Sequence, residues 1–232
     1  PVVSHWGPAG GRFTELAGPR SEGVHFIQTF LFSDKQSAKA NDVLARLKPY
    51  FPQFYAADSV LETSLNNIGA VFHPAPTLLN AARIETDPEP FQYYLEGISP
   101  AVAAVLAGID AERLRVAQRF GVRAPSAREW LHDAYGVAAA DLYGAIQGNS
   151  AYRGIFAPRS IRVRYLDEDV PTGLVPLAAL AKVAGEPAPL IEAVIDLAAS
   201  LRGTDYRRIG RSLDRMGLAG LTAEEIRALV AM

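Results

Sequence analysis

The sequence predicts a mainly α chain with a short α/β segment at its N-terminal end, and three observations carry that prediction. From Val60 onward, apolar residues recur at helical spacing and are interrupted by prolines rather than by strand-like alternation. Capping residues stand where helices should begin, as in Ser99-Pro100 and in Thr222 with Glu225 three residues later. Only one long run, residues 24–32 (Val-His-Phe-Ile-Gln-Thr-Phe-Leu-Phe), has the β-branched and aromatic make-up of a strand.

Taken in order, residues 1–23 are rich in glycine and proline without a period, and read as loop. The strand over 24–32 follows, and Ser33-Asp34 can cap the next helix. That helix carries Ala40, Val43, Leu44 and Leu47 on one face and is stopped by Pro49. Phe54-Tyr-Ala-Ala reads as a second, short strand. One strand, one helix and one short strand are too few for a sheet domain; they read as the closing βαβ of a nucleotide-binding sheet whose earlier strands are absent. Residues 59–72 form an amphipathic helical segment broken at Pro74 and Pro76, with the apolar pattern resuming over 77–82. A helix from Ser99-Pro100 should run to about 119, a short one capped by Ser126 should carry Trp130, and another should cover 137–147. A Gly-, Pro- and Arg-rich loop spans 148–163. The remaining helices are expected over 172–184, 188–202, 204–216 and 222–231, with no internal repeat and no low-complexity tract.

Composition narrows the function. With 49% apolar and 21% charged residues the chain has the make-up of an ordinary globular protein. A formal charge of −2 and the lack of a dense basic run argue against nucleic-acid binding. The absence of cysteine removes disulfides, thiolate chemistry and cysteine zinc sites, and suits a cytoplasmic protein; no metal site is expected. The apolar run at 174–184 is too short to cross a membrane, and no secretory signal opens the chain, so no membrane partner is expected. The first residues, Pro1-Val-Val-Ser-His-Trp6, lack a methionine, and the expectation is the C-terminal part of something longer.

Two segments about ninety residues apart hold the chemistry: Asn67-Ile-Gly-Ala-Val-Phe-His73-Pro74 and Arg164-Tyr-Leu-Asp-Glu-Asp169-Val-Pro171-Thr-Gly173. The proline after His73 disfavours helical geometry at the histidine itself, a way of turning a side chain out of a regular ladder. A packed histidine at a kink is the plain alternative, and His5, His25 and His132 read as structural. Asp169 precedes Pro171 and an apolar helical run, so its carboxylate should lie at a helix N-terminus as a cap, an orienter of His73, or both. An ionised carboxylate facing the ring would favour the imidazolium and fix the tautomer. Asp167 and Glu168 read as solvated charges. Arg164 ends the alternating stretch Ile161-Arg-Val-Arg-Tyr165, where an extended backbone puts Arg162 and Arg164 on one face. It is either a surface arginine paired with a nearby carboxylate or a guanidinium fork for a substrate carboxylate. Glu62, Asn66 and Asn67 form a polar patch that either lines a pocket or faces solvent. Gly7-Pro-Ala-Gly-Gly11 does not fit G-x-G-x-x-G, and no P-loop is present.

Beyond these residues, the chain resembles the opine dehydrogenases, the octopine/nopaline dehydrogenase family, over roughly residues 24–185. The resemblance rests on a long helix entering His73-Pro74, on Leu78-Leu-Asn80, on Tyr93-Tyr-Leu-Glu96-Gly97-Ile-Ser99-Pro100, and above all on the Arg164…Glu168-Asp169-Val-Pro171-Thr-Gly173-Leu-Val-Pro176 string. It implies an all-helical dehydrogenase C-terminal domain over 59–232, preceded over 1–58 by the α/β tail of a Rossmann-type nucleotide-binding domain. It implies reduction, by NADH or NADPH, of the imine formed between an amino acid and a 2-oxo acid. His73 would be the proton donor and acceptor, Asp169 its partner, and Arg164 the anchor of the 2-oxo-acid carboxylate; Asn67, from the polar patch, is the further substrate-binding candidate. The dinucleotide would bind mainly to a nucleotide domain largely absent from this chain, and the family allows a homodimer. Gly69, four residues before His73, departs from the polar side chain, often Asn, expected there. The rivals are another Rossmann-plus-helical-domain enzyme acting on a 2-oxo or 3-hydroxy acid without an amine, and a catalytically degenerate helical binding module.

Overall fold

A computed structural model describes residues 3–4, 25–26, 38–51, 57 and 59–230. The chain divides into two units, Pro1–Val60 with Met232 and Leu61–Ala231. In the first unit two short strands, β1 (Val3–Ser4) and β2 (His25–Phe26), pair in parallel with Val3 opposite His25 and Ser4 opposite Phe26. The segment expected as loop thus contributes a strand, because a parallel partner supplies ladder hydrogen bonds that no local periodicity announces. The rest of the expected 24–32 strand, the Ser33-Asp34 cap and all but Ala57 of the 54–57 strand fall outside the described residues. Helix Ala38–Leu47 forms as its spacing requires and ends in turns at Lys48 and Tyr50, one residue on either side of Pro49.

Among its described residues the second unit is helix and loop, with an isolated antiparallel bridge between Gln92 and Phe156. Its central element is the helix Pro100–Arg119, opened by Ser99, whose hydroxyl accepts from the Val102 N–H, with Pro100 at the first helical position. Leu106, Ile109 and Val116 on this helix are fully buried, each contributing about 1.5–3 kcal/mol relative to exposure. Around it pack helices Gly69–Phe72, Pro74–Leu79, Leu142–Gly148, Val175–Ala184 and Pro189–Arg202. Three buried charges serve this packing. The Glu112 carboxylate accepts from the Leu190 and Ile191 N–H groups, satisfying the first turn of the Pro189–Arg202 helix. Arg113 pairs with Asp110 at 2.7 Å and donates to the carbonyls of Leu65 and Pro125, while Asp110 accepts from the Ala127 N–H. That network joins the end of helix Val60–Leu65 to the start of helix Ala127–Tyr135.

Several expected boundaries move for local reasons. The amphipathic stretch 59–72 is two short helices, Val60–Leu65 and Gly69–Phe72, rather than one long one. The helix expected over 137–147 begins only at Leu142, because Asp141 caps it by accepting from the Gly144 N–H at 2.7 Å. The helix expected over 204–216 is a single turn, Tyr206–Ile209. It stops because Gly210 lies against the Pro171 carbonyl, where a Cβ would come within 2.7 Å, and Arg211 donates its N–H to that same carbonyl. The Thr222–Glu225 capping box forms in both directions at the head of the Ala223–Val230 helix. Among the described residues no helix is long and apolar enough to cross a membrane.

Candidate active site

The two chemistry-bearing segments meet at His73 and Asp169, 96 residues apart in sequence. On the first segment, helix Gly69–Phe72 ends at His73 and helix Pro74–Leu79 begins there. The expectation that Pro74 would push His73 out of helical geometry is corrected. Its φ of −105° and ψ of −54° stay helical, with its N–H on the Gly69 carbonyl and its carbonyl accepting from the Thr77 N–H. The break arises instead because Pro74 and Pro76 have no N–H to give to Ala70 and Phe72. The His73 carbonyl is held further by the hydroxyls of Thr77 at 2.8 Å and Tyr93 at 2.7 Å.

On the second segment the expected extended stretch reaches only to Val163, at φ −138° and ψ 159°. Arg164–Asp167 is a helical turn, driven by full burial of Leu166. Asp169 follows in helical geometry and opens a π-helical turn, Val170–Leu174, in which the Val175 N–H reaches back five residues to the Val170 carbonyl. Pro176 explains the widening: it can neither donate to Thr172 nor tolerate that carbonyl at α-helical spacing. The cap reading of Asp169 is corrected, since its side chain makes no capping hydrogen bond. Its carboxylate turns instead to His73.

The resulting geometry is compact. His73 Nδ1 lies 2.8 Å from Asp169 Oδ2, with only 7% and 9% of the two side chains exposed. The carboxylate accepts the Nδ1 proton, which leaves Nε2 as the second ring nitrogen. Nε2 lies 3.2 Å from the Tyr94 hydroxyl, and Tyr165 stacks on the imidazole with ring centroids 4.4 Å apart at 20°. Burial pushes the phenols of Tyr93 and Tyr94 well up from their ordinary value and raises Tyr165 as well, so all three stand as neutral hydroxyls.

Arg164 does not touch the dyad. Its side chain is 40% exposed, 3.8 Å from Glu168, with its guanidinium carbon 5.4 Å from the Tyr165 ring centre. Asn67 makes no hydrogen bond to the dyad either; its amide nitrogen lies 3.3 Å from where a Cβ on Gly173 would be. Neither Asp167 nor Glu168, the acidic neighbours of Asp169, is the plain solvated charge expected. Glu168 faces Arg164, while Asp167 accepts from Arg202 at 3.0 Å and from the Tyr206 hydroxyl at 2.7 Å. Asp167 thereby ties the turn that presents Asp169 to the rest of the helical core. Tyr94, Tyr165 and Thr77 escaped the sequence reading of the site; their one signal was adjacency, in the Tyr93-Tyr94 pair and in Arg164-Tyr165.

Fold and site together define a class: an all-helical domain presenting a buried, carboxylate-oriented imidazole. The sequence profile for "NAD/NADP octopine/nopaline dehydrogenase, alpha-helical domain" matches residues 56–202. The chain belongs to the octopine/nopaline dehydrogenase family and carries its helical domain. It is 50% identical over 199 residues to an opine dehydrogenase of Arthrobacter sp. (strain 1C), a match that covers 86% of this chain. The match takes in 55% of that relative, and the chain spans about half the length of the curated relatives it matches. Its fold is similar to octopine dehydrogenase bound to NADH and L-arginine (TM-score 0.62) and to the same enzyme with NADH and pyruvate (TM-score 0.59). Both are 22% identical; the likeness covers 93% of this chain and 67% and 66% of theirs, respectively.

Among the described residues no glycine turn offers a pyrophosphate cradle. A pyrophosphate cradle needs a glycine turn between a strand and a helix N-terminus. The left-handed glycines here, such as Gly136, Gly185 and Gly203, close helices at their C-termini instead. Gly7 to Gly11 lie outside the described residues.

Proposed function

We propose that this chain is the catalytic helical part of an opine-dehydrogenase-like oxidoreductase that reduces the imine formed between an amino acid and a 2-oxo acid. NADH or NADPH supplies the hydride, held mainly by a nucleotide domain of which residues 1–58 are the tail. The observation that carries this reading is the 2.8 Å His73–Asp169 hydrogen bond, formed by two motifs that lie within the matched family region. His73 exchanges protons with the amine, the carbinolamine or the imine, and Asp169 holds the ring tautomer and balances the imidazolium. Arg164, partly exposed and loosely held by Glu168, grips the 2-oxo-acid carboxylate in a bidentate fork. Asn67 contributes to the substrate pocket from the Gly173 side.

The test uses the complete gene product with each nicotinamide cofactor, following its oxidation while pairs of amino acids and 2-oxo acids are supplied. His73→Asn is expected to lower kcat by about 10²-fold or more, the usual scale for a general acid–base group. Near-normal turnover of that variant would overturn the role of His73. Oxidation that proceeds at full rate without an amine would replace imine reduction with direct 2-oxo-acid reduction.

A further inference from the structure

We propose that Tyr94 is a catalytic residue of the same site, relaying protons between His73 Nε2 and the substrate through its hydroxyl. This inference rests on the assignment of His73 as the acid–base group. It starts from access. Asp169 occupies Nδ1, Tyr165 covers one face of the ring, and the Tyr94 hydroxyl stands 3.2 Å from Nε2. Substrate reaches that nitrogen only if Tyr94 moves away or passes the proton on.

The phenol ring is not placed to swing. It stacks on Tyr152 with centroids 4.1 Å apart at 19°, meets Tyr93 edge-on at 5.0 Å, and meets Phe72 edge-on at 6.4 Å. Its backbone is clamped as well. The Tyr93 N–H donates to the Ile155 carbonyl, the Ala157 N–H to the Phe91 carbonyl, and the Glu96 and Gly97 N–H groups to the Gln92 carbonyl. At Gly97 a Cβ would lie 2.3 Å from the Tyr93 carbonyl, so the turn that carries Tyr94 is also closed tightly. A rigid ring with its hydroxyl on the working nitrogen is built to relay.

Hydrogen-bond accounting points the same way. When Nε2 carries a lone pair, the Tyr94 O–H donates to it and the hydroxyl is satisfied. When Nε2 is protonated, the bond reverses: Nε2–H donates to the Tyr94 oxygen, and the phenolic proton needs a new acceptor. His73 Nε2 is the single hydrogen-bond partner of the Tyr94 hydroxyl among the described residues. The substrate's carbinolamine oxygen or amine nitrogen completes the chain. In the acid direction the Nε2–H bond breaks as a new O–H forms on Tyr94, and the original phenolic proton passes to the substrate; the base direction reverses both transfers. Tyr94 begins and ends neutral, as it must where burial so disfavours a phenolate. The titratable and charged groups around the relay are Asp169 behind the ring, Tyr165 on the imidazole face with Arg164 against Tyr165, and Tyr93, Tyr152 and Tyr135 around Tyr94.

The deciding experiment compares wild type, His73→Asn and Tyr94→Phe in the complete gene product, measuring kcat, KM and the proton inventory in mixed light and heavy water. Tyr94→Phe keeps the ring and its stacking, and is expected to lower kcat by about 10²-fold with KM changed less than a few-fold. Its proton inventory should become linear where that of the wild type is bowed by two protons in flight. A Tyr94→Phe variant with kcat within about three-fold of wild type and an unchanged inventory would overturn the relay while leaving His73 in place. Retained activity in His73→Asn would remove the acid–base reading and the relay with it. If Tyr94→Phe fails to fold, 3-fluorotyrosine at position 94 decides the matter. A relay changes kcat and its solvent isotope effect, whereas an unchanged rate and isotope effect overturn the proposal.

Discussion

Asp169 acts on His73 as one charge and one hydrogen bond in a nearly dry site. The carboxylate holds the Nδ1 proton at 2.8 Å, and the ring is fixed from above by Tyr165 and from behind through its own backbone carbonyl. Asp169→Asn removes the anion and lets the amide present a donor, which would turn the imidazole to the other tautomer. We expect kcat to fall by about 10²-fold or more, with the fold retained. Steady-state kinetics together with far-ultraviolet circular dichroism would check both halves; turnover close to wild type would show that Asp169 is a packing residue. At this scale the sequence singled out His73 and Asp169 through the two motifs of the family resemblance, whereas the local reasons, a proline after the histidine and a cap before a helix, are the ones the geometry corrects. The contacts of Asp167 were not legible, because Arg202 and Tyr206 lie more than thirty residues away. Tyr94 stayed without a role for the same reason, its partner being 21 residues distant.

The π-helical turn Val170–Leu174 is the element that aims the carboxylate, and Gly173 is where it seats on the histidine segment. A Cβ at Gly173 would lie 2.8 Å from the Ala70 Cβ, closer than side-chain carbons approach one another. Gly173→Ala must therefore push the turn off helix Gly69–Phe72. We expect a loss of about 1–3 kcal/mol in stability, the usual cost of overpacking, together with reduced kcat as His73 and Asp169 separate. Urea unfolding and kinetics on one preparation would test this; an unaltered unfolding midpoint would show that the turn has room to give. Helix starts were readable where a side chain caps them, at Ser99, Ser126 and Thr222. Interior breaks were less readable. The π turn depends on Pro176 acting four residues back, and the early stop at Gly210 depends on a carbonyl from another element.

Across the helical unit, Tyr93, Tyr94 and Tyr152 form one aromatic cluster beside His73, and burial raises the phenol of each above its ordinary value of 10.0. The unfolded chain releases these protons near pH 10 while the folded chain keeps them. Folding thus binds more protons above that point, and stability present below pH 10 is lost as pH rises toward the folded values. Each retained proton costs about 1.4 kcal/mol per pH unit over that interval. Denaturant melts above pH 10 should show a steep fall in midpoint, with phenolate absorbance of the cluster rising together with unfolding. Gradual, non-cooperative ionisation in the folded state would show that the cluster is open to water.

The sequence by itself determined the helical class and most helix starts. These follow from apolar spacing, capping chemistry and the backbone limits of proline, all of which act within a few residues. Only the tertiary structure decided that Asp169 serves His73 rather than capping its own helix, that Arg164 opens a helical turn, and that Tyr94 covers Nε2. Each of these outcomes is a competition between a local partner and a distant one. A buried group takes whichever partner satisfies it once solvent is excluded, and that partner exists only after the chain has closed on itself.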